Sequence, residues 1–385
     1  MATADSASEA SSLPVSERIR LFLMVNTFET GGSERQFAVL AQNLSPDKFS
    51  IHLGCIRAGG RFAEIFGKVP EFRLGGSLFG WRALRSRWRL RSHLLRHRVQ
   101  IAHAFDFYAN MSLVPAARLA RVPVVIGSHR QLGDLMTPAQ FRVQLAAFRF
   151  CDAILCNSHA AADRLAEHGV SREKLVMIGN ALPAEIFAPA DPAVPRRPGV
   201  LRVGMVARMN AHYKNHSGFL RIAARIRQQL PNVEFLLAGD GPLRLELEQE
   251  ACNVGLQDSV IFLGDRRDIN AVHASMDVAV LTSDSESLSN VILEAMAARL
   301  PVVAYRSGGN PELINEERGT LVAPGNETEF ADAVITLLAE PALREQLGRN
   351  ARTFVNEHFS LEQVRNQYQE LYQNLLRRKL GPSVA

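Results

Sequence analysis

The chain has 385 residues, 47% of them hydrophobic and 22% charged, which excludes a disordered or fibrous protein; it is long for one core and comfortable for two domains. A net charge of +5 and a pI of about 9.2 favour anionic partners, namely phosphates, a membrane surface or nucleic acid, without choosing among them. Cys55, Cys151, Cys156 and Cys252 form no C-x-x-C pair and fit no zinc spacing, so free thiols in a reducing cytosol are expected.

Residues 1–17 are small and polar and lack the apolar centre of a signal peptide, so they are expected as a disordered tail. No apolar run approaches the ~18 residues of a membrane span, and a soluble protein is expected. The first strand, IRLFLMVN (Ile19 to Asn26), is a continuous apolar run of the kind found in a parallel sheet covered on both faces. After the loop TFETGG, SERQFAVLAQNL has helical periodicity. Strand-like runs recur at FSIHLGCI, VQIAHAF, VPVVIGS and DAILCNS, with helical runs between them, the signature of a βαβ sheet. Proline peaks in PADPAVPRRPG, residues 189–199, and periodicity stops there, so 191–199 is expected as a linker. The pattern then restarts. LRVGMVAR, VEFLLAGD, SVIFLG, DVAVLTS, LPVVAY and GTLVAP read as strands, and Glu327 to Arg378 reads as helix. The expected fold class is therefore α/β, with two tandem Rossmann-like, doubly wound domains. They cover residues 18–190 and 200–360, with a C-terminal helix over 361–385 that could cross back to the first domain. Two such domains create a cleft lined by the C-terminal ends of strands, where open α/β sheets bind ligands.

The residues just after strands are the candidates. Arg208 ends the first strand of the second half and Lys214 precedes the next helix; together they make an anion site or, in the plainer reading, two solvated surface cations. Gly239, Asp240 and Gly241 permit close backbone approach, although a plain strand-to-helix turn explains them equally well. SDSESLSNVILEAMAARLPVVAYRSGGNPELI places Glu286 in a loop and Glu294 inside an apolar helix, where an ionised carboxylate is expensive without a partner. Eight residues at helical rise span about 12 Å, roughly the distance from a nucleotide's ribose to a sugar beyond its diphosphate. Two acceptor carboxylates suit sugar hydroxyls at both ends, and the helix start at Ser289 and Asn290 suits the phosphates between them. Gly308 and Gly309 can present bare N–H groups to an anion, while Glu312 suits a helix start better than catalysis.

Across nearly the whole chain these features resemble the retaining glycosyltransferases of family 4, which have the two-Rossmann GT-B fold. The E-x7-E spacing of Glu286 and Glu294, the LEAMAA-x-LPVVA continuation and the GGxxEL after it carry the resemblance. So do GGSERQ, Arg208 with Lys214, CNSHAAADRL and the Asn180 segment. The resemblance implies that Glu286 contacts the donor sugar and Glu294 the ribose. It implies that Arg208 and Lys214 stabilise the departing diphosphate, and that Gly31 and Gly32 let the first loop approach the donor phosphates and the acceptor. His129 matches the family's cleft histidine near the reacting sugar. His103 and Asp106 are acceptor-side candidates, with a core or capping role as the alternative. The chain departs from the family at Ser287, Leu288 and Ser289, where Gly-Phe-Gly is frequent, at Arg299 and Ala181, where glycine is usual, and at Arg130, where aspartate is common.

The implied reaction moves a sugar from a UDP- or GDP-sugar to a hydroxyl of a lipid-linked or growing glycan, with retention. No cofactor is expected; no D-x-D motif is present to hold a metal. A sugar-nucleotide epimerase or hydrolase, or a non-catalytic nucleotide-binding protein, shares the architecture. Dinucleotide oxidoreduction fits poorly, because ETGGSER lacks G-x-G-x-x-G. The segment Trp81 to Arg98 holds seven arginines, no acid and two tryptophans. Trp81, Leu84, Trp88, Leu95 and, more loosely, Leu94 recur at helical spacing. The face they form is expected partly to pack on the domain, and its basic flank is either solvated or meets an anionic membrane surface. Nucleic acid is not expected as a partner, since no stacking platform or recognition motif accompanies the arginines.

Overall fold

The computed structural model describes residues 18–29, 31–60 and 62–381; the expectation for residues 1–17 lies outside them, as do the last four residues of the 361–385 segment. In chain order the first part runs β1 (Ile19–Val25), α1 (Gly32–Asn43), β2 (Phe49–Cys55), α2 (Ala63–Phe66), α3 (Trp81–Arg96), β3 (Ile101–Ala104), α4 (Phe107–Leu119), β4 (Val124–His129), α5 (Pro138–Phe148), β5 (Ala153–Cys156), α6 (His159–Glu167) and β6 (Leu175–Met177). The second runs β7 (Leu201–Val206), α7 (His216–Gln229), β8 (Val233–Ala238), α8 (Arg244–Asn253), β9 (Val260–Gly264), α9 (Ile269–Ala274), β10 (Val278–Leu281), α10 (Asn290–Ala297), β11 (Val302–Tyr305), α11 (Asn310–Leu313), β12 (Gly319–Val322), α12 (Glu327–Ala339), α13 (Pro341–Phe359) and α14 (Leu361–Leu380).

The strands form two six-stranded sheets. One has the order β2-β1-β3-β4-β5-β6 and the other β12-β11-β10-β7-β8-β9. Counted from its own first strand, the second sheet has the order 3-2-1-4-5-6 of dinucleotide-binding sheets. The registered pairs are parallel throughout. Parallel strands are covered on both faces, which is why β4, β8, β10 and β11 are buried from end to end and read as mostly apolar runs rather than alternation, with Ser128, His129 and Glu234 as the strongly polar exceptions.

Two compact units divide the chain. One holds the described residues to Ser128, Val143–Ile154 and the chain from Tyr368; the other holds His129–Arg142 and Leu155–Gln367. The core of the second includes Phe219, Phe235, Leu236, Ile292, Leu293 and Phe330, each contributing about 1.5–3 kcal/mol by its burial.

The proline-rich segment before β7 is bound closely within the second unit. Arg202 is 1% exposed and donates to the carbonyls of Val194 and Pro195, while its Nε meets the Glu234 carboxylate at 2.9 Å. Arg197 also pairs with Glu234, and Arg196 grips both oxygens of Asp277 at 2.9 Å. A buried guanidinium needs acceptors on every side, and the carbonyls of this segment supply them.

Helix α3 differs from expectation in which face it packs. Ala83, Ser86, Leu90 and Leu94 form the buried seam, so Leu94 belongs inward rather than with the tryptophans. Trp81, Leu84, Trp88 and Leu95 all point to solvent.

Candidate active site

In the second sheet β10 and β11 pair with β7 and β10 respectively. The chain reverses its direction of travel across the sheet between β7 and β10, and such a switch point opens a crevice at the strands' C-terminal ends. Arg208 and Lys214 follow β7, Glu286 follows β10, and Gly308 and Gly309 follow β11. One edge of one sheet therefore gathers them.

Lys214 ends a short 3-10 turn, His212–Lys214, and Asn215 then takes a left-handed conformation (φ 53°) and caps α7 by accepting from the Gly218 N–H at 3.0 Å. This sharp exit aims Lys214 toward β10. Its Nζ lies 2.6 Å from Oε1 of Glu286, with the side chains only 20% and 11% exposed. The loops are tied by backbone as well: the Asp284 N–H donates to Tyr213 O at 2.8 Å and the Thr282 hydroxyl to Asn215 O at 2.8 Å. Burial raises the Asp284 carboxyl above its ordinary range, against a hydrogen bond from Asn215. Arg208 is exposed, and among the described residues no carboxylate pairs with it. Gly239 and Gly241 stand behind it at φ 138° and 154°; a Cβ on either would strike the carbonyl of Ala207 or Met209. Those glycines are there for close backbone packing beneath the Arg208 loop.

Ser289 caps α10, its hydroxyl accepting from the Ile292 N–H at 3.3 Å. Glu294 is 3% exposed on that helix. The Gly309 N–H, expected to be open to an anion, is used within the protein. The Gly309 N–H donates to the Glu286 carbonyl at 2.9 Å rather than standing open, and a Cβ at Gly308 or Gly309 would lie 1.8 Å from the carbonyl oxygen of Glu286 or Ser287. The two glycines let β11 support the Glu286 loop at backbone distance.

Several supporting residues were not legible in sequence. Asn180 donates to Asn290 Oδ1 at 2.8 Å and to the Leu288 carbonyl at 3.2 Å, and accepts from Arg130. Ser287 donates to Asn157 at 2.6 Å and meets Ser158 at 3.2 Å. Glu312 caps α6, accepting from the N–H groups of His159 and Ala160 at 2.8 and 2.9 Å. These partners lie 50 to 153 residues apart. The resemblance at CNSHAAADRL and at the Asn180 segment pointed toward Asn157, Ser158 and Asn180, and Glu312 was expected at a helix start, but the sequence indicated none of these pairings.

His129 closes β4 and is 1% exposed. Burial pulls its pKa down to about 4, partly opposed by the charge of Asp134, so at neutral pH the imidazole is uncharged. In the first unit, Gly31 is the N-cap of α1 without a capping side chain, and Gly32 opens the helix.

For the two acceptor-side candidates the structure shows contacts of the alternative kind, a core role and a cap. His103 is fully buried in β3, with Nδ1 2.8 Å from the Tyr372 hydroxyl and Nε2 2.8 Å from the Ser128 hydroxyl. Both nitrogens are committed to the core. Asp106 caps α4, accepting from the Ala109 N–H at 3.0 Å and the Asn26 N–H at 2.6 Å. Burial pushes its carboxyl up to about 6.

Residues 30–186 match the family described as Glycosyltransferase Family 4, and residues 200–340 that described as Glycosyl transferases group 1. A lipopolysaccharide core biosynthesis glycosyltransferase, LpsE of Rhizobium meliloti (strain 1021), is 31% identical over 250 residues, 63% of this chain and 68% of that protein. This chain belongs to the family 4, group 1 glycosyltransferases. An N-acetyl-alpha-D-glucosaminyl L-malate synthase of Bacillus anthracis is 37% identical over 147 residues, which span 38% of this chain and 39% of the relative. A Campylobacter jejuni alpha-1,4-N-acetyl-D-galactosaminyltransferase, named for a diNAcBac-PP-undecaprenol glycan, is 24% identical over 92% of this chain and 98% of its own. Among solved structures, Anabaena Alr3699/HepE in complex with UDP-glucose superposes with a TM-score of 0.80 at 22% identity, covering 93% of this chain and all of that one. The fold of this glycosyltransferase is thus GT-B, with two Rossmann-like domains.

Proposed function

We propose that this glycosyltransferase moves a sugar from a nucleoside diphosphate sugar to a hydroxyl of a lipid-linked or growing glycan, with retention of anomeric configuration and without a dedicated metal, at the cytoplasmic face of a membrane. The observation that carries the donor half is the 2.6 Å contact of Lys214 with Glu286 at the β7–β10 switch point, with Arg208 after the same strand β7 and, among the described residues, paired with no carboxylate. A nucleoside diphosphate sugar offers what this edge lacks: phosphate oxygens for the two cations and sugar hydroxyls for the carboxylate. The UDP-glucose held by the Anabaena neighbour ranks UDP-sugars first, ahead of GDP-sugars. The undecaprenol-linked glycan in the Campylobacter relative's name favours a lipid-linked acceptor.

In the reaction the bond from the anomeric carbon to the diphosphate oxygen breaks and a bond to the acceptor oxygen forms; the acceptor proton passes to the leaving phosphate. Charge grows on that diphosphate, and Arg208 and Lys214 stabilise it from fixed positions. Glu286 receives the donor sugar and holds Lys214 in place before the donor arrives. Glu294 receives the ribose, and the α10 start at Ser289 and Asn290 faces the phosphates. By the family resemblance, Gly31 and Gly32 are assigned to the loop that approaches the donor phosphates and the acceptor. His129, neutral at working pH, hydrogen-bonds the reacting sugar rather than contributing charge.

The test is incubation with UDP-, GDP- and ADP-sugars, with and without candidate glycan acceptors, in the presence of excess chelator. Nucleotide release that requires an acceptor supports the reading. Release without acceptor points to an epimerase or hydrolase, binding without turnover to a regulatory protein, and rescue by manganese contradicts the metal-independent step. Lys214→Ala should lower turnover by about 10²–10³, as loss of one donor does in other charge-stabilising sites. Unchanged turnover at saturating donor removes Lys214 from the chemistry.

A further inference from the structure

The helix α3 has an apolar seam facing its own unit and a second apolar surface facing out. A surface helix of a globular domain normally has one such stripe. Trp81 is 76% exposed, Leu84 47%, Trp88 56% and Leu95 45%, and Phe79 just before the helix is 69% exposed. At 3.6 residues per turn these helical positions fall on one line, displaced well over a quarter turn from the Ala83–Leu90–Leu94 seam. The arginines flank that line. Arg82, Arg85, Arg89 and Arg96 lie along one side, and Arg87 and Arg91 along the other.

The surface continues beyond the helix. The Arg91 guanidinium sits 5.3 Å from the centre of the Trp88 ring while its Nε donates to the carbonyl of Leu119, itself 55% exposed at the end of α4. Arg118, one residue earlier, donates to the carbonyl of Phe150, which is 60% exposed. The neighbouring acid, Asp152, is neutralised by Arg118 at 2.8 Å and Lys379 at 2.7 Å.

From this arrangement we infer that α3, with the ends of α4 and α5, is a docking surface for an anionic lipid bilayer, lying in the plane of the interface with Trp81, Leu84 and Trp88 entering the headgroup–acyl boundary. Tryptophan suits that boundary, leucine gains from acyl chains, and the exposed Arg82, Arg85, Arg89 and Arg96 meet lipid phosphates, while Arg87 and Arg91 on the other flank donate to the Met111 and Leu119 carbonyls. A second copy of the chain would bring two arginine rows together. Nucleic acid would have no use for the leucines.

The two tryptophans of the chain, Trp81 and Trp88, are both in this surface, so tryptophan emission of the full-length protein, excited at the red edge where the five tyrosines do not absorb, reports on it alone. Vesicles of phosphatidylcholine with phosphatidylglycerol should shift the emission to the blue, brominated lipid should quench it, and added salt should weaken both effects. Arg82→Gln, Arg85→Gln and Arg89→Gln should each weaken partitioning about fivefold. Leu84→Asp should abolish the blue shift with an unchanged circular dichroism spectrum. No shift with any vesicle, or an equal shift with pure phosphatidylcholine, overturns the inference. So does a shift that follows protein concentration without lipid, which would reveal self-association, or one produced by a single-stranded oligonucleotide and not by vesicles. The readout needs neither donor nor acceptor, so its failure is separate from failure of the proposed transfer reaction.

Discussion

His273 shows at the scale of one residue what burial does without compensation. It is 1% exposed on α9, and among the described residues neither ring nitrogen has a hydrogen-bond partner. Burial lowers its pKa from 6.5 to about 4. The folded state therefore binds fewer protons than the unfolded state between about pH 6.5 and pH 4, and stability falls as pH falls through that window. His273→Leu should raise the unfolding free energy at neutral pH by about 1–2 kcal/mol, the cost of buried unpaired polar atoms, and should flatten the acid limb. Denaturant melts of both proteins at pH 7 and pH 5 check this; parallel acid limbs would mean that other groups govern the acid sensitivity. Glu294 is also a buried polar group, at 3% exposure, and its position eight residues after Glu286 is what makes it the candidate for the ribose in the proposed reaction. The sequence separates the two cases only through that spacing.

At the scale of an element, α10 ends on an arginine where the family usually has glycine. Arg299 has φ 62°, its N–H donates to Met296 O at 3.0 Å, and the Leu300 N–H donates to Ala295 O at 3.0 Å. This is a left-handed helix terminus, which glycine adopts without strain and a side chain does not. Arg299→Gly should stabilise the protein by about 1 kcal/mol, read as a shift in urea midpoint with unchanged slope and unchanged turnover. A loss of stability would show that the arginine side chain has contacts worth more than the strain. The departure from glycine was visible in the sequence, but its cost appears only with the dihedral angle. Helix α3 makes the same point differently: its arginines and tryptophans were plain in the sequence, whereas the choice of packed seam depended on what α4 offers beside it.

For the whole molecule, ligand binding should appear as stability. A nucleotide at a hundred times its Kd adds about 2.7 kcal/mol to the state that binds it. Thermal melts should rise with UDP and rise further with the matching UDP-sugar. Glu294→Gln should reduce the response to both, and Glu286→Gln should spare UDP while removing the extra gain from the sugar. Equal loss of the UDP response in both variants would contradict the division between ribose and sugar ends. The proline-rich segment belongs to this scale too. Its composition reads as a free linker, yet the buried Arg202 draws Val194 and Pro195 onto the second unit through their carbonyls, a demand that no local pattern announces.

The sequence by itself determined the α/β class, the succession of strands and helices, and the spacing of Glu286, Glu294 and Gly308–Gly309 on which the proposed donor site rests. Those features rest on local periodicity and on spacing along one strand–helix unit, and local information suffices for them. Only the tertiary structure decided that Lys214 pairs with Glu286, that His103 and Asp106 serve the core and a cap, that the Gly309 N–H is used within the protein, and that the Trp81–Trp88 face is left open. Each depends on which atoms from distant parts of the chain arrive within a few ångströms of a buried polar group or an apolar side chain. The sheet order sets that, and no spacing in the sequence encodes it directly.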